Sequence, residues 1–211
     1  MLRRFAFAGL VLLWPVLIGC SAGQPSAGFI DPRLMDAYIP LSQRQMLVFG
    51  HWGAAFAVAP TIGVTNDHNL NLIPPDSVLA RSRDYDLLFF RTGPSMTPAT
   101  AKPHAGEEVI AYGQGSSDGL REARGAVAGL DEYVAPRCQG CRAQRSLIYD
   151  ADAGAGFSGG PVVDAKSGAV LGITFGYLDG KGANGGRRMY AYDIDAVMAE
   201  MHRLLDRPSG R

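Results

Sequence analysis

The hexapeptide Gly156-Phe157-Ser158-Gly159-Gly160-Pro161 sets one hydroxyl among glycines, which tolerate φ > 0 and let the main chain approach a ligand closely. A serine placed this way can act as a nucleophile while neighbouring backbone N–H groups are aimed at a carbonyl oxygen. The plain alternative is a glycine-rich turn, because Gly makes up 27 of the 211 residues and a lone G-x-S-x-G match is weak. A base and an orienting acid elsewhere in the chain would separate the two, since a serine hydroxyl needs an imidazole to take its proton and the imidazole needs a carboxylate to hold its tautomer. The chain has four histidines. His51 sits beside Trp52 in a Gly-flanked stretch, His104 follows Lys102-Pro103, and His202 falls on the polar side of an expected C-terminal helix. His68 differs from these, because it closes two short apolar runs broken at Pro60. A carboxylate then precedes an apolar run in Tyr85-Asp86-Leu87-Leu88-Phe89-Phe90, with Asp84 as its rival.

The order His68, Asp86, Ser158, with Thr65-x-x-His68 ending an apolar strand and Gly156-x-Ser-Gly-Gly-Pro161 downstream, resembles the chymotrypsin/trypsin superfamily of serine proteases, and among them bacterial trypsin-like peptidases. The matching motifs span residues 53–176. The resemblance implies Ser158 as nucleophile, His68 as general base and then general acid, and Asp86 as the buried orienter of His68. It also implies an oxyanion hole made by the N–H groups of Gly156 and Ser158, with Asp86 preferred to Asp84 because it directly precedes the strand. Two departures stand out. Family members carry two small residues before the histidine, where this chain has Asn66-Asp67. Activatable members carry an Asp at the position of Phe157, which pairs with a freshly cut N-terminus, and an apolar ring excludes that ion pair.

The same resemblance places the substrate pocket. Six positions before the serine, at the pocket floor of trypsin-like members, stands Asp152, which there would select Arg or Lys side chains by charge pairing. Deg-type relatives have their Asp eight positions before the serine, which here is Asp150. The opposite wall is expected from Phe175 and Gly176, with Tyr177 beside them.

Gly156-x-Ser158-x-Gly160 also fits the nucleophile elbow of α/β-hydrolases, where a strand turns into a helix and the acid and histidine follow the serine. Here two short apolar runs follow around a polar turn, residues 162–173, which is a hairpin pattern.

The elements that must position these residues read as strands. Short apolar runs at 53–59, 61–65, 86–90, 107–112, 125–130, 145–149, 160–164, 169–176 and 188–192 are punctuated by Gly, Pro, Asn or Asp, as in an all-β fold. The Pro-containing stretch 91–106 reads as a linker between halves. The family implies two six-stranded antiparallel β-barrels, 29–98 and 99–205, with His68 and Asp86 on the first and Ser158 on the second. Ile194, Val197, Met198, Met201 and Leu205 recur at helical spacing after Asp193, a candidate N-cap, so a C-terminal helix is expected, followed by a tail at 206–211.

Met1-Leu2-Arg3-Arg4 and the apolar run to Ile18 have the form of an export signal, residues 1–19. Its end, Leu17-Ile18-Gly19-Cys20, resembles the lipobox of bacterial lipoproteins, with Cys20 as lipidation site and residues 20–28 as a flexible tether. Ser at 21 implies sorting to the outer membrane, which places the domain in the periplasm. In that oxidising compartment Cys138 and Cys141 are expected to form a disulfide, and no second Cys/His pair stands near them to make a metal site. With 20 basic and 20 acidic residues, and no cationic cluster interleaved with aromatics, nucleic acid is not an expected partner. The resemblance implies a serine endopeptidase acting on polypeptides through an acyl-enzyme, without a cofactor, and after basic residues if Asp152 lies in the pocket. The alternative from another class is a protease-fold lipoprotein that binds an envelope partner without hydrolysing it.

Overall fold

The computed structural model describes residues 22–45, 49–115, 119–135, 138 and 140–206. The leader, Cys20 and residues 207–211 of the C-terminal tail lie outside the described residues. In chain order the elements are β1 (Gln24–Pro25), α1 (Pro32–Ala37), β2 (Tyr38–Gln45), β3 (Phe49–Ala59), β4 (Ile62–Thr65), β5 (Val78–Arg81) and β6 (Leu88–Arg91). They continue with β7 (Glu108–Gln114), β8 (Leu120–Tyr133), β9 (Gln144–Ala151), β10 (Pro161–Asp164), β11 (Val170–Leu178), β12 (Arg188–Asp193) and α2 (Ile194–Leu205).

Two antiparallel sheets result, as the all-β, chymotrypsin-like reading expects. In the second half β8-β7-β10-β11-β12-β9 close on themselves through β9–β8 pairing, making a six-stranded barrel. The first half differs in detail: its described residues form a five-stranded sheet in the order β2-β3-β4-β6-β5, without the closing pairing of a six-stranded barrel.

The strand sequences read as continuous apolar runs because both faces of these strands are buried. Side chains alternate along a strand. Val109 and Ala111 of β7, Val162 of β10, Leu171 of β11 and Met189 and Ala191 of β12 fill the barrel interior with Leu147, Tyr149 and Phe157. Their neighbours Ile110, Tyr112, Val163, Ile173, Tyr190 and Tyr192 point the other way, where they pack with Phe56, Val64, Leu87 and Phe89 of the first sheet. Leu88 and Phe90 of β6, flanking Phe89, turn inward with Leu41 and Ala55. The core between the halves is thus shared, and the strand ends that meet there carry the polar residues of the site.

Asp193 caps α2 by accepting from the Asp195 N–H at 2.9 Å, and Ile194, Val197 and Met201 bury the stripe expected from the sequence. Cys138 and Cys141 are joined in a disulfide. No helix among the described residues is long and apolar enough to cross a membrane.

Residues 20–28 read as a flexible tether, yet Gln24–Pro25 pair with Arg121 and Glu122 of β8, in the stretch of β8 that β9 does not reach. The physical reason is Glu122, a buried carboxylate that needs donors. It accepts from Ser26 Oγ at 2.7 Å, Gln24 Nε2 at 3.3 Å and Arg124 Nε at 3.0 Å. Burial pushes its pKa up, but the hydrogen bonds from Ser26 and Arg124 outweigh burial and leave it below the usual glutamate value. A carboxyl with a depressed folded pKa contributes stability that is complete above its unfolded value, about 4.3, and disappears as pH falls through the folded one. Ser26→Ala should therefore lower unfolding free energy by about 1–2 kcal/mol at pH 7. The deficit should shrink below about pH 4. Urea melts at both pH values check this, and a deficit independent of pH would remove Glu122 from the account.

Candidate active site

β4 ends at Thr65, and the chain then enters a 3₁₀ turn, Asp67–Leu72, that presents His68 between the two sheets. The two residues that depart from the family pattern are both occupied. Asn66, fully buried, donates through its amide to Asp86 O at 3.0 Å. Asp67 turns outward and takes a two-pronged contact from Arg81, at 2.6 and 2.7 Å. Neither side chain displaces His68.

Asp86 lies just before β6 and is 1% exposed. One carboxylate oxygen accepts the His68 backbone N–H at 3.0 Å, and the other stands 2.6 Å from His68 Nδ1. Since a carboxylate accepts, Nδ1 carries the hydrogen and the lone pair sits on Nε2. That Nε2 is buried and has no hydrogen-bond partner among the described residues. Asp86 is in turn held from the second half of the molecule, where its N–H donates to the Tyr192 hydroxyl of β12 at 3.0 Å. Burial pushes the Tyr192 phenol well above its usual pKa, so the hydroxyl stays neutral. Asp84, the rival acid, is 40% exposed and sits 3.7 Å from Arg203 and 3.9 Å from Arg142, away from His68.

Ser158 follows a tight turn. The Phe157 N–H donates to Gly154 O at 3.1 Å, and Gly156, third residue of that turn, has φ +92, the signature of a type II turn. A side chain at 156 would also place its Cβ 2.0 Å from Gln114 O. Phe157 is fully buried in the barrel core, so this loop is anchored by an apolar ring in place of an ion pair. Ser158 O accepts from Ala54 N–H at 2.9 Å and from Asn69 Nδ2 at 3.0 Å, which ties the serine to β3 and to the histidine turn. The N–H groups of Gly156 and Ser158 donate to no other group among the described residues.

His68, Ser158 and Gly156 line one cleft of about 440 Å³ together with His51, Trp52, Asn69, Gly154, Ala155, Phe175, Gly176 and Tyr177. On its other side His68 borders a cavity of about 630 Å³ walled by Arg81, Arg83 and the disulfide-closed turn. The structure thus brings together His68, Asp86, Ser158, Gly156, Phe175 and Gly176.

It does not bring Asp152. Ala151 and Ala153 are buried on either side, so alternation turns Asp152 outward, where its side chain is 87% exposed and 3.6 Å from Arg187. Asp150 is no substitute, being engaged by Arg188 at 3.0 and 3.2 Å outside the cleft. No carboxylate among the described residues lines this cleft. Sequence reasoning missed Trp52, Asn69 and Tyr192. The small pair Gly53-Ala54 was the available signal for Trp52, since it lets β3 approach the serine; a lone Tyr in a strand offers no such signal.

The model of a family described as a trypsin-like peptidase domain matches residues 65–173, which include His68, Asp86 and Ser158. None of the curated proteins matches the chain in sequence. Among solved structures the fold is similar to an inactive form of Rv3671c from M. tuberculosis H37Rv, with TM-score 0.64, 17% identity and coverage of 90% of this chain and 98% of that one. The active form of the Rv3671c protease from M. tuberculosis gives 0.65, 15%, 97% and 94%. The HtrA-type protease AlgW with a tripeptide gives 0.65 and 17%, covering 82% of this chain but 61% of that one. At these identities the likeness establishes the fold.

The Asp86–Tyr192 contact gives a direct test. Tyr192→Phe leaves the buried Asp86 N–H without its acceptor and should destabilise the protein by about 1–3 kcal/mol in urea melts. An unchanged midpoint would show that the hydroxyl does not hold Asp86.

Proposed function

The chain belongs to the trypsin-like peptidase family, and on that premise we propose that it is a serine endopeptidase working through an acyl-enzyme on Ser158. The observation that carries this reading is the 2.6 Å contact between His68 Nδ1 and a carboxylate that is itself 1% exposed, which leaves Nε2 as an unused base in the cleft of Ser158. Ser158 Oγ attacks the substrate carbonyl carbon as Nε2 takes the hydroxyl proton. The carbonyl oxygen becomes an oxyanion that accepts from the Gly156 and Ser158 N–H groups, donors worth roughly 3 kcal/mol each. As the C–N bond breaks, the imidazolium returns its proton to the departing amine and an ester remains on Ser158. Water then attacks the ester, giving its proton to Nε2, and collapse frees the acid product and restores the serine hydroxyl. Asp86 keeps the proton on Nδ1 and faces the imidazolium in both halves.

The substrate is a polypeptide. Beyond Thr174, which exchanges hydrogen bonds with Gly159 and Gly160, β11 pairs among the described residues with β12 alone. The other edge, at Phe175, Gly176 and Tyr177, faces the cleft and suits an extended peptide added as a further strand. Aromatic and small residues there favour uncharged side chains next to the scissile bond, and Asp152 takes no part.

A fluorophosphonate should label the wild type and fail to label Ser158→Ala or His68→Ala. A folded wild type that stays unlabelled would sink the enzyme reading.

Anchoring belongs to the same proposal. Gly19-Cys20 at the end of the apolar leader supports lipidation of Cys20 and attachment to the outer membrane on its periplasmic side. Cells fed labelled palmitate should yield labelled protein from the wild type and none from Cys20→Ser. Equal labelling of both would remove the anchor.

A further inference from the structure

Ala22 and Gly23 touch both ends of the turn that carries the Gly156 N–H and leads into that of Ser158. A Cβ built on Gly154, the first residue of the turn, would stand 2.9 Å from the Ala22 Cβ. A Cβ on Gly23 would stand 2.7 Å from Cζ of Phe157, the last residue of the turn. The Gly23 N–H donates to Asp152 O at 2.7 Å, two residues before the turn begins. The segment is itself gripped: Arg121 Nε donates to Ala22 O at 3.1 Å, its Nη2 donates to Gly23 O, and β1 follows at once.

Only glycine fits at position 23. Its φ is +66, and a Cβ would lie 2.6 Å from Glu122 O as well as against the Phe157 ring. The ring is held at both ends, because a Cβ on Gly113 would stand 2.6 Å from Phe157 Cγ, opposite the Cζ that Gly23 meets. Elsewhere the stretch is backed by Arg187, whose Nη1 donates to Ala153 O at 3.0 Å.

We propose that Ala22–Gly23 is a positioning element for the oxyanion turn, resting on the reading of Ser158 as nucleophile. Docked, it covers Phe157 and holds Asp152 O, so that the turn keeps the conformation in which Gly156 and Ser158 present their N–H groups to the cleft. Released, it uncovers Phe157 and leaves the turn supported from one side only. The position of Phe157 is thus tied to the N-terminal segment by apolar contact and backbone hydrogen bonds, with no charged N-terminus required.

Full-length Gly23→Ala, with its own segment displaced, should show kcat on a peptide substrate reduced by about tenfold to a hundredfold, with KM changed less than about twofold, because the loss falls on transition-state hydrogen bonds. A synthetic peptide of residues 21–28 added to this variant should restore kcat in a saturable way, and the same peptide with Ala at position 23 should not. Met201→Ala, which weakens the packing of α2 far from the turn, serves as the control for stability alone and should keep wild-type kcat. Wild-type kcat in Gly23→Ala, an equal fall in Met201→Ala, or equal rescue by both peptides would overturn the proposal. Failure of the peptidase reading looks different, since the wild type itself would then be inactive.

Discussion

A carboxylate buried between two sheets is costly unless its oxygens are fully hydrogen-bonded, and the arrangement around Asp86 meets that demand. One oxygen takes the His68 backbone N–H and the other the His68 ring, while the Asp86 main chain is held by Asn66 on one side and Tyr192 on the other. These donors and acceptors come from both halves of the molecule. The His68 and Asn66 contacts lie within the first half, and the Asp86 N–H finds its acceptor, the Tyr192 hydroxyl, only when the first sheet docks on the barrel, so the docking that forms the shared core also fixes the main chain of Asp86. Fixing the imidazole in this way settles its tautomer without help from Ser158.

The serine loop meets a different constraint, which is space. Gly156 and Gly160 each lie where a Cβ would come within 2.0 Å of a carbonyl oxygen of β7, and at Gly159 one would come within 2.1 Å of Ala54 O. The loop is pressed into a notch between the sheets that admits no side chain except those of Phe157 and Ser158, one facing the core and the other the cleft. An apolar anchor at 157 makes the loop depend on packing, and its packing partners include the N-terminal segment that enters β1.

Much of this was legible in the sequence for physical reasons. Strands buried on both faces leave continuous apolar runs, so β4, β6, β7, β10, β11 and β12 stood out, and the stripe behind Asp193 marked α2. Asp86 is preferred to Asp84 on the resemblance alone, since the family pattern places the acid directly before the strand. What escaped was set by long-range contact. Asp152 is aligned with the pocket by counting, but strand alternation turns it to solvent beside Arg187. Residues 20–28 have the composition of a tether, and partners distant in sequence, Arg121, Glu122 and Asp152, hold the described part of them on the barrel. Tyr192 serves the site through a partner, the Asp86 N–H, that no local pattern indicates.

The central proposal is that Ser158 works against a base oriented by Asp86 and an oxyanion hole made by the N–H groups of Gly156 and Ser158. A crystal structure of the protein after reaction with a peptidyl phosphonate tests both at once. The account predicts a phosphorus atom bonded to Ser158 Oγ, with its anionic oxygen about 2.7–3.1 Å from the N–H groups of Gly156 and Ser158 and His68 still bonded to Asp86. An adduct whose oxygen points away from these two N–H groups, or a His68 ring swung off Asp86, would contradict it.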